Sequence, residues 1–229
     1  MKKLTRIIIL SLIGGLLVFA MITNTTRKTP LSEKVWNEGM TLGSMDAKNY
    51  FIVYTDLMCP YCNLYAQEVY RNEDEFEKYL ADNDILYEVR VTDMLYESNG
   101  IEYSKTSAEA AYCADRDGKF WDFYHAALTA IENDYYSRGI GNSKTAPKIS
   151  DMTEEYWLNI GREVGLSDSF ETCLKNGESL EEVSEKTGKA SDNAVGLPSY
   201  KFNSYETSGF DPTWDFELIK QMYDAGLKS

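Results

Sequence analysis

The chain has 229 residues, 43% hydrophobic and 26% charged, which is enough to bury a full core and too apolar for a disordered protein. Residues 1–28 hold five bases and no acid, leaving 18 bases against 37 acids on the rest, while the whole chain carries −14. A body so negative repels phosphate, which excludes nucleic acid as a partner, and a single histidine excludes a His-rich metal site.

Lys2, Lys3 and Arg6 precede an apolar run from Ile7 to Ile22, broken only by Ser11, Gly14 and Gly15. A cationic start followed by a run shorter than the roughly 20 residues of a stable membrane span reads as an export signal. Val18-Phe19-Ala20 offers a cleavage site, whereas Arg27 and Lys28 suit an uncleaved anchor. Either fate places the body outside the cytoplasm, periplasmic, at the cell surface or secreted, where cysteines can pair.

Thr29 to Lys48 reads as a polar lead-in. Tyr50 to Tyr54 is a short run of strand formers, as a buried strand requires. The pattern predicts one helix from Cys59 to Leu80, with Glu73-Asp74-Glu75 on its outer face, and a strand from Ile85 to Val91. Helices are expected over Ala108–Ala114, Phe120–Asn133, Glu154–Val164, Ser167–Lys175 and Ser179–Ala190, with Asp151 or Thr153 capping the third. A strand over Ser199–Phe202 and a helix from Trp214 to Ala225, ended by Gly226, close the chain.

The chemistry concentrates at Cys59-Pro60-Tyr61-Cys62. Two cysteines three apart are weak evidence by spacing alone; their place at a strand-to-helix junction gives them meaning. With Cys59 at the N-cap, Pro60 falls at the first helical position, where its missing N–H costs nothing. The Cys62 N–H then points back at the Cys59 sulfur, and the positive end of the helix favours a thiolate there. Cys62, one turn on and behind, is placed to resolve a mixed disulfide formed by Cys59. The alternatives are an inert structural disulfide, or half of a zinc site completed by Cys113 and Cys173.

Phe51-Ile52-Val53-Tyr54-Thr55-Asp56-Leu57-Met58-Cys59-Pro60-Tyr61-Cys62 resembles the opening of a DsbA-family thiol–disulfide oxidoreductase. Leu42 to Ala47 resembles the family's lead-in. Ala111 to Ala114, Gly118 to Trp121 and Tyr124-His125 resemble the start of its helical insertion, and Gly196 to Tyr200 its cis-proline loop. The matches cover residue 42 to about 225. The resemblance implies an α/β, thioredoxin-like fold with an inserted all-helical domain. Its parts would be residues 1–28 as signal or anchor, 29–103 and 193–229 as the two parts of the thioredoxin-like domain, and 104–192 as the insertion. It implies that Pro198 faces the cysteine pair and that the Leu197 backbone contacts substrate, with Pro60 and Tyr61 as support. Where many members bury an acid six residues before the first cysteine, this chain has Val53, and Leu197 stands where Thr or Val is common. Asp56, three before Cys59, assists proton movement through water or caps the turn.

Cys113 and Cys173, an even pair in an exported chain, read either as a structural disulfide or as two buried thiols. His125, Phe120, Trp121 and Phe123 read as structural. The expected function is oxidation of cysteine pairs in unfolded or reduced exported proteins, by a monomer without cofactor or metal. A membrane-embedded, quinone-linked thiol oxidase is the expected partner that restores the pair. The rivals are glutaredoxin-like or reductive exchange, and a membrane-tethered binding module or chaperone that keeps the fold without turnover.

Overall fold

The computed structural model describes residues 34–142 and 148–228; the export segment expected over residues 1–28 lies outside them. Five strands form one sheet in the order β1-β3-β2-β4-β5. They are β1 (Thr41–Leu42), β2 (Asn49–Thr55), β3 (Ile85–Val91), β4 (Ser199–Phe202) and β5 (Tyr205–Ser208). β2 runs parallel to β3, and the other pairings are antiparallel. The β2–β3 crossover carries α1 (Pro60–Arg71) and α2 (Glu73–Asp82). Between β3 and β4 every described element is helical: α3 (Met94–Asn99), α4 (Glu102–Arg116), α5 (Phe120–Asp134), a 3-10 turn at Tyr136–Arg138, α6 (Glu154–Glu163), α7 (Asp168–Lys175) and α8 (Leu180–Ser191). α9 (Phe216–Leu227) closes the chain, and Val35 onward forms one compact unit.

Central strands explain the dense apolar runs. β3 is buried on both faces, and so is β2 beyond its first residue. On one face Phe51 stacks on Phe202 with ring centroids 4.2 Å apart and meets Tyr223 of α9 at 4.6 Å. The opposite face carries a buried ion pair. Arg90 Nε donates to Glu88 Oε2 at 2.8 Å, the Tyr50 hydroxyl donates to the same oxygen, and the Trp36 N–H donates to Glu88 Oε1 at 2.6 Å. The Trp36 ring covers the Arg90 guanidinium at 4.1 Å. Charges taken out of water survive only with such partners.

Several boundaries differ from those the periodicity predicts. The single helix over 59–80 is two, because Asn72 leaves helical geometry (φ −117°, ψ 32°) and Glu73-Asp74-Glu75 become the first turn of α2. Acids there complement the positive end of that helix. α3, β1 and β5 had no periodic signal, being six, two and four residues long. α4 runs well past the expected 108–114 at both ends, so the boundary at 104 falls inside it. Thr153 is the N-cap of α6, without a side-chain cap bond. Gly226 lies within α9 rather than ending it: a Cβ there would sit 2.3 Å from Phe202 Cγ, so only glycine lets the helix approach the sheet this closely.

Candidate active site

β2 delivers the chain to Thr55, and Asp56-Leu57-Met58 turn it into α1. Cys59 is the N-cap of α1 in extended geometry (φ −85°, ψ 115°), with Pro60 at the first helical position. The Cys62 N–H donates to Cys59 Sγ at 3.3 Å. Both residues are free thiols and both are buried, Cys59 at 5% and Cys62 at 0% exposure. Tyr61 between them is half exposed, so the motif shows solvent its aromatic ring. Burial pushes the Cys62 thiol well above its ordinary range, and the adjoining Cys59 sulfur pushes it further.

Asp56 is fully buried and acts as a three-way clamp. Its Oδ1 accepts from the Met58 N–H at 2.9 Å; its Oδ2 accepts from the Leu95 N–H at 3.0 Å and from Ser104 Oγ at 2.6 Å. The turn is thereby tied to α3 and α4. Burial raises this carboxyl to about 6 against the three hydrogen bonds, and the nearby Asp93 adds to the rise. Of the two roles the sequence left open for Asp56, these contacts are those of the turn clamp.

The Leu197–Pro198 peptide bond is cis. Ser199 pairs with Tyr54, so Pro198 lies level with the end of β2 from which the cysteine turn departs. Pro198 is buried, Leu197 half-buried, and the preceding Val195 is 98% exposed. The loop is closed by the Ser199 hydroxyl donating to the Gly196 carbonyl at 2.6 Å and by the Gly209 N–H donating to the Pro198 carbonyl at 2.8 Å.

Cys113 of α4 and Cys173 of α7 form a disulfide with Cα atoms 5.8 Å apart. Ser179 Oγ lies 3.4 Å from one sulfur and 3.3 Å from the other. Joined to each other, these cysteines do not gather with Cys59 and Cys62 as the zinc alternative requires. Among the described residues no group of three or more potential ligands could hold a metal. His125 stacks on Tyr70 with centroids 4.0 Å apart, and burial lowers it to about 4.

Sequence reasoning missed the hydroxyls around the cysteine pair. Thr55 and Tyr124 are buried beside Cys62. The Tyr136 hydroxyl donates to the Met58 carbonyl at 2.8 Å, fixing the turn from the helical side. Tyr200 is raised by burial and next by the charge of Cys62, and its buried hydroxyl has no hydrogen-bond partner among the described residues. The only signal was the excess of 17 tyrosines, which no spacing in the chain interprets.

Comparison with known proteins supplies the family. A family model described as "Thioredoxin" matches residues 36–203. The crystal structure of alpha-DsbA1 from Wolbachia pipientis superposes with a TM-score of 0.62 at 16% identity, covering 87% of this chain and 96% of that one. A thioredoxin-like oxidoreductase from Silicibacter pomeroyi gives 0.57 at 20% identity, over 82% and 92% of the two chains. Reduced DsbA from Mycobacterium tuberculosis gives 0.56 at 17%, over 82% and 95%. At these identities the likeness concerns the fold. Among curated proteins, the serine/threonine-protein kinase PknE of Mycobacterium tuberculosis is 23% identical over 194 residues, which is 81% of this chain and 32% of the kinase. The chain thus spans about a third of the length of the curated relatives it matches. With the family model running from the lead-in before β1 to the end of β4, and with the sheet and interposed helices of the DsbA structures, this chain belongs to the thioredoxin family.

Proposed function

We propose that the chain is an extracytoplasmic thiol–disulfide oxidoreductase that oxidises cysteine pairs in unfolded exported proteins. The observation that carries this reading is the Cys62 N–H aimed at Cys59 Sγ at the start of α1, with Cys62 sealed behind it. A helix start that directs N–H groups at a sulfur favours negative charge on it, which nucleophilic attack and release both need. In the oxidised form a substrate thiolate attacks Cys59 Sγ. The Cys59–Cys62 bond breaks, a mixed disulfide forms, and Cys62 leaves as thiolate. A second substrate thiolate then attacks the substrate sulfur of the mixed disulfide, forms the substrate's own disulfide and releases Cys59 as thiolate. The substrate loses two electrons and the cysteine pair gains them.

The exposed Tyr61 ring and the Val195–Leu197 backbone beside Pro198 offer an extended peptide an apolar platform and an edge to pair with. The helices of residues 104–192 are read as an insertion that covers the site, and a membrane-embedded quinone-linked oxidase as the acceptor of the electrons. The cationic start before Ile7 supports export, as cleaved signal or anchor.

The test is exchange with a reduced, unfolded substrate carrying two cysteines. Cys59→Ser abolishes disulfide transfer. Offered the same substrate with its two cysteines paired, Cys62→Ser attacks that disulfide through the Cys59 thiolate, releases one substrate thiolate and accumulates the mixed disulfide, visible as a band lost on reduction. Equal transfer by unaltered chain and Cys59→Ser would return the chain to the binding-module alternative.

A further inference from the structure

Resting on the oxidoreductase reading, the geometry points to Tyr136 as a positioning residue: from the 3-10 turn after α5, its hydroxyl holds the Met58–Cys59 peptide unit so that Cys59 Sγ stays within reach of the Cys62 N–H. The Tyr136 O–H donates to the Met58 carbonyl at 2.8 Å. The same peptide unit carries the Cys59 N–H, which donates to the Asp56 carbonyl at 3.0 Å. One planar unit is thus pinned at both ends, by a side chain from the helical side and by the turn itself. Cys59 is held on its other side too, because its own carbonyl accepts from the Asn63 N–H at 3.0 Å. With the peptide planes on either side of its Cα fixed, Cys59 keeps one free torsion, the one about Cα–Cβ. The Cys62 N–H, 3.3 Å from Sγ, selects its setting.

Tyr136 is itself fixed. It is buried, and its carbonyl accepts from the Gly139 N–H at 3.0 Å and from Asn142 Nδ2 at 2.8 Å. Burial, and next the charges of Asp56, Cys59 and Cys62, push its phenol above the ordinary range, so it stays a donor throughout the pH range of exchange. The cysteine pair stands here as free thiols, so this tether belongs to the reduced form. In the oxidised form the S–S bond itself fixes the Cys59 sulfur, and the tether is redundant. Charge on Cys59 Sγ gains from the N–H groups of the helix start only while the sulfur lies within their reach. Tyr136 therefore favours the reduced, thiolate-bearing chain over the disulfide, which makes the disulfide the stronger oxidant. Tyr136 exchanges neither bond nor proton: the two electrons taken from the substrate pass to Cys59 and Cys62, and the phenol keeps its hydrogen.

The experiment equilibrates the full chain with mixtures of reduced and oxidised glutathione at pH 7 and reads the fraction of Cys59–Cys62 disulfide by acid quench and thiol labelling. Tyr136→Phe keeps the ring and removes the hydroxyl. It is expected to shift the equilibrium about threefold toward the disulfide, a part of what one hydrogen bond is worth, since only the difference between the two redox forms counts. A merely structural tyrosine would lower the melting temperature of both forms alike and leave this equilibrium in place. Tyr135→Phe removes the neighbouring hydroxyl, which lies 3.2 Å from Asp151 Oδ1, and is expected to leave the equilibrium unchanged. Asn142→Ala loosens the turn that carries Tyr136 and shifts the equilibrium the same way as Tyr136→Phe, about twofold. A folded Tyr136→Phe that matches the unaltered chain, or shifts toward the dithiol, overturns the inference; so does an equal shift by Tyr135→Phe. Should Tyr136→Phe fail to fold, Asn142→Ala decides alone: a shift toward the disulfide supports the tether, and an unchanged equilibrium overturns it. A different failure, an unaltered chain no more oxidising than an unstructured Cys-Pro-Tyr-Cys peptide, would sink the oxidoreductase reading and this inference with it.

Discussion

Asp56→Asn tests whether the clamp beneath the cysteine turn is an ionised carboxylate held at a cost. Burial raises this group from 3.8 to about 6. A carboxyl whose folded value lies above its unfolded one favours the protonated form in the fold. Its contribution to stability is therefore full below about pH 4 and is lost as pH rises through 6. Roughly two units correspond to about 3 kcal/mol, of which about 2 kcal/mol disappears between pH 4 and 7. Asparagine removes the ionisation but has one acceptor oxygen where three donors converge, from Met58, Leu95 and Ser104. Turning its NH₂ toward any of them costs about 1–3 kcal/mol. The variant is thus expected to be clearly less stable than the unaltered chain at pH 4 and close to it at pH 7. Urea unfolding at four pH values, followed by circular dichroism, reads the difference. The difference matters rather than either profile, because Glu109, raised to about 7 by burial, slopes the same way and His125 slopes the other way. A gap between the two chains that stays constant from pH 4 to 7 would refute the reasoning.

His125 is lowered to about 4, so its neutral form is the folded one and stability is lost as pH falls from about 6.5 toward 4. His125→Phe, which keeps a ring against Tyr70, is expected to flatten that acid-side loss in melting temperature; an unchanged slope would contradict it. Opening the Cys113–Cys173 disulfide, which spans a sequence separation of 60, should lower stability by up to about 4 kcal/mol in the chain-entropy model. Alkylation of the denatured, unreduced chain should label neither of these cysteines, and labelling of both would remove the staple. Gly161→Ala places a Cβ 2.3 Å from Phe170 Cε1, so a change that favours an exposed helix should here cost about 1–3 kcal/mol; a rise in melting temperature would show that α6 and α7 relax apart.

The sequence alone determined the central strands and the start of the helix behind Cys59, while the position of the cis-proline loop was implied by the family resemblance of Gly196 to Tyr200. The first two rest on short-range physics: strand formers in an unbroken run, a proline permitted at the first helical position, and a cysteine able to cap it. The disulfide between Cys113 and Cys173 needed one step more, since composition allowed the pair and only packing of α4 on α7 brings the sulfurs together. The break at Asn72 and the short β5 lay below what periodicity resolves, since neither occupies enough residues to repeat a pattern. The polar side of β3 was legible as alternation. Its meaning was not, because Glu88 and Arg90 are held in the interior by Trp36, Tyr50 and Tyr54, which reach them from other parts of the chain. The same holds at the site. Thr55, Tyr124, Tyr136 and Tyr200 stand 4 to 141 positions from Cys59 and carry no shared spacing. A hydroxyl acquires a role only from what it points at. That direction is set when β2, the helices after β3 and β4 close around Cys62, a long-range event that no local pattern in the chain encodes.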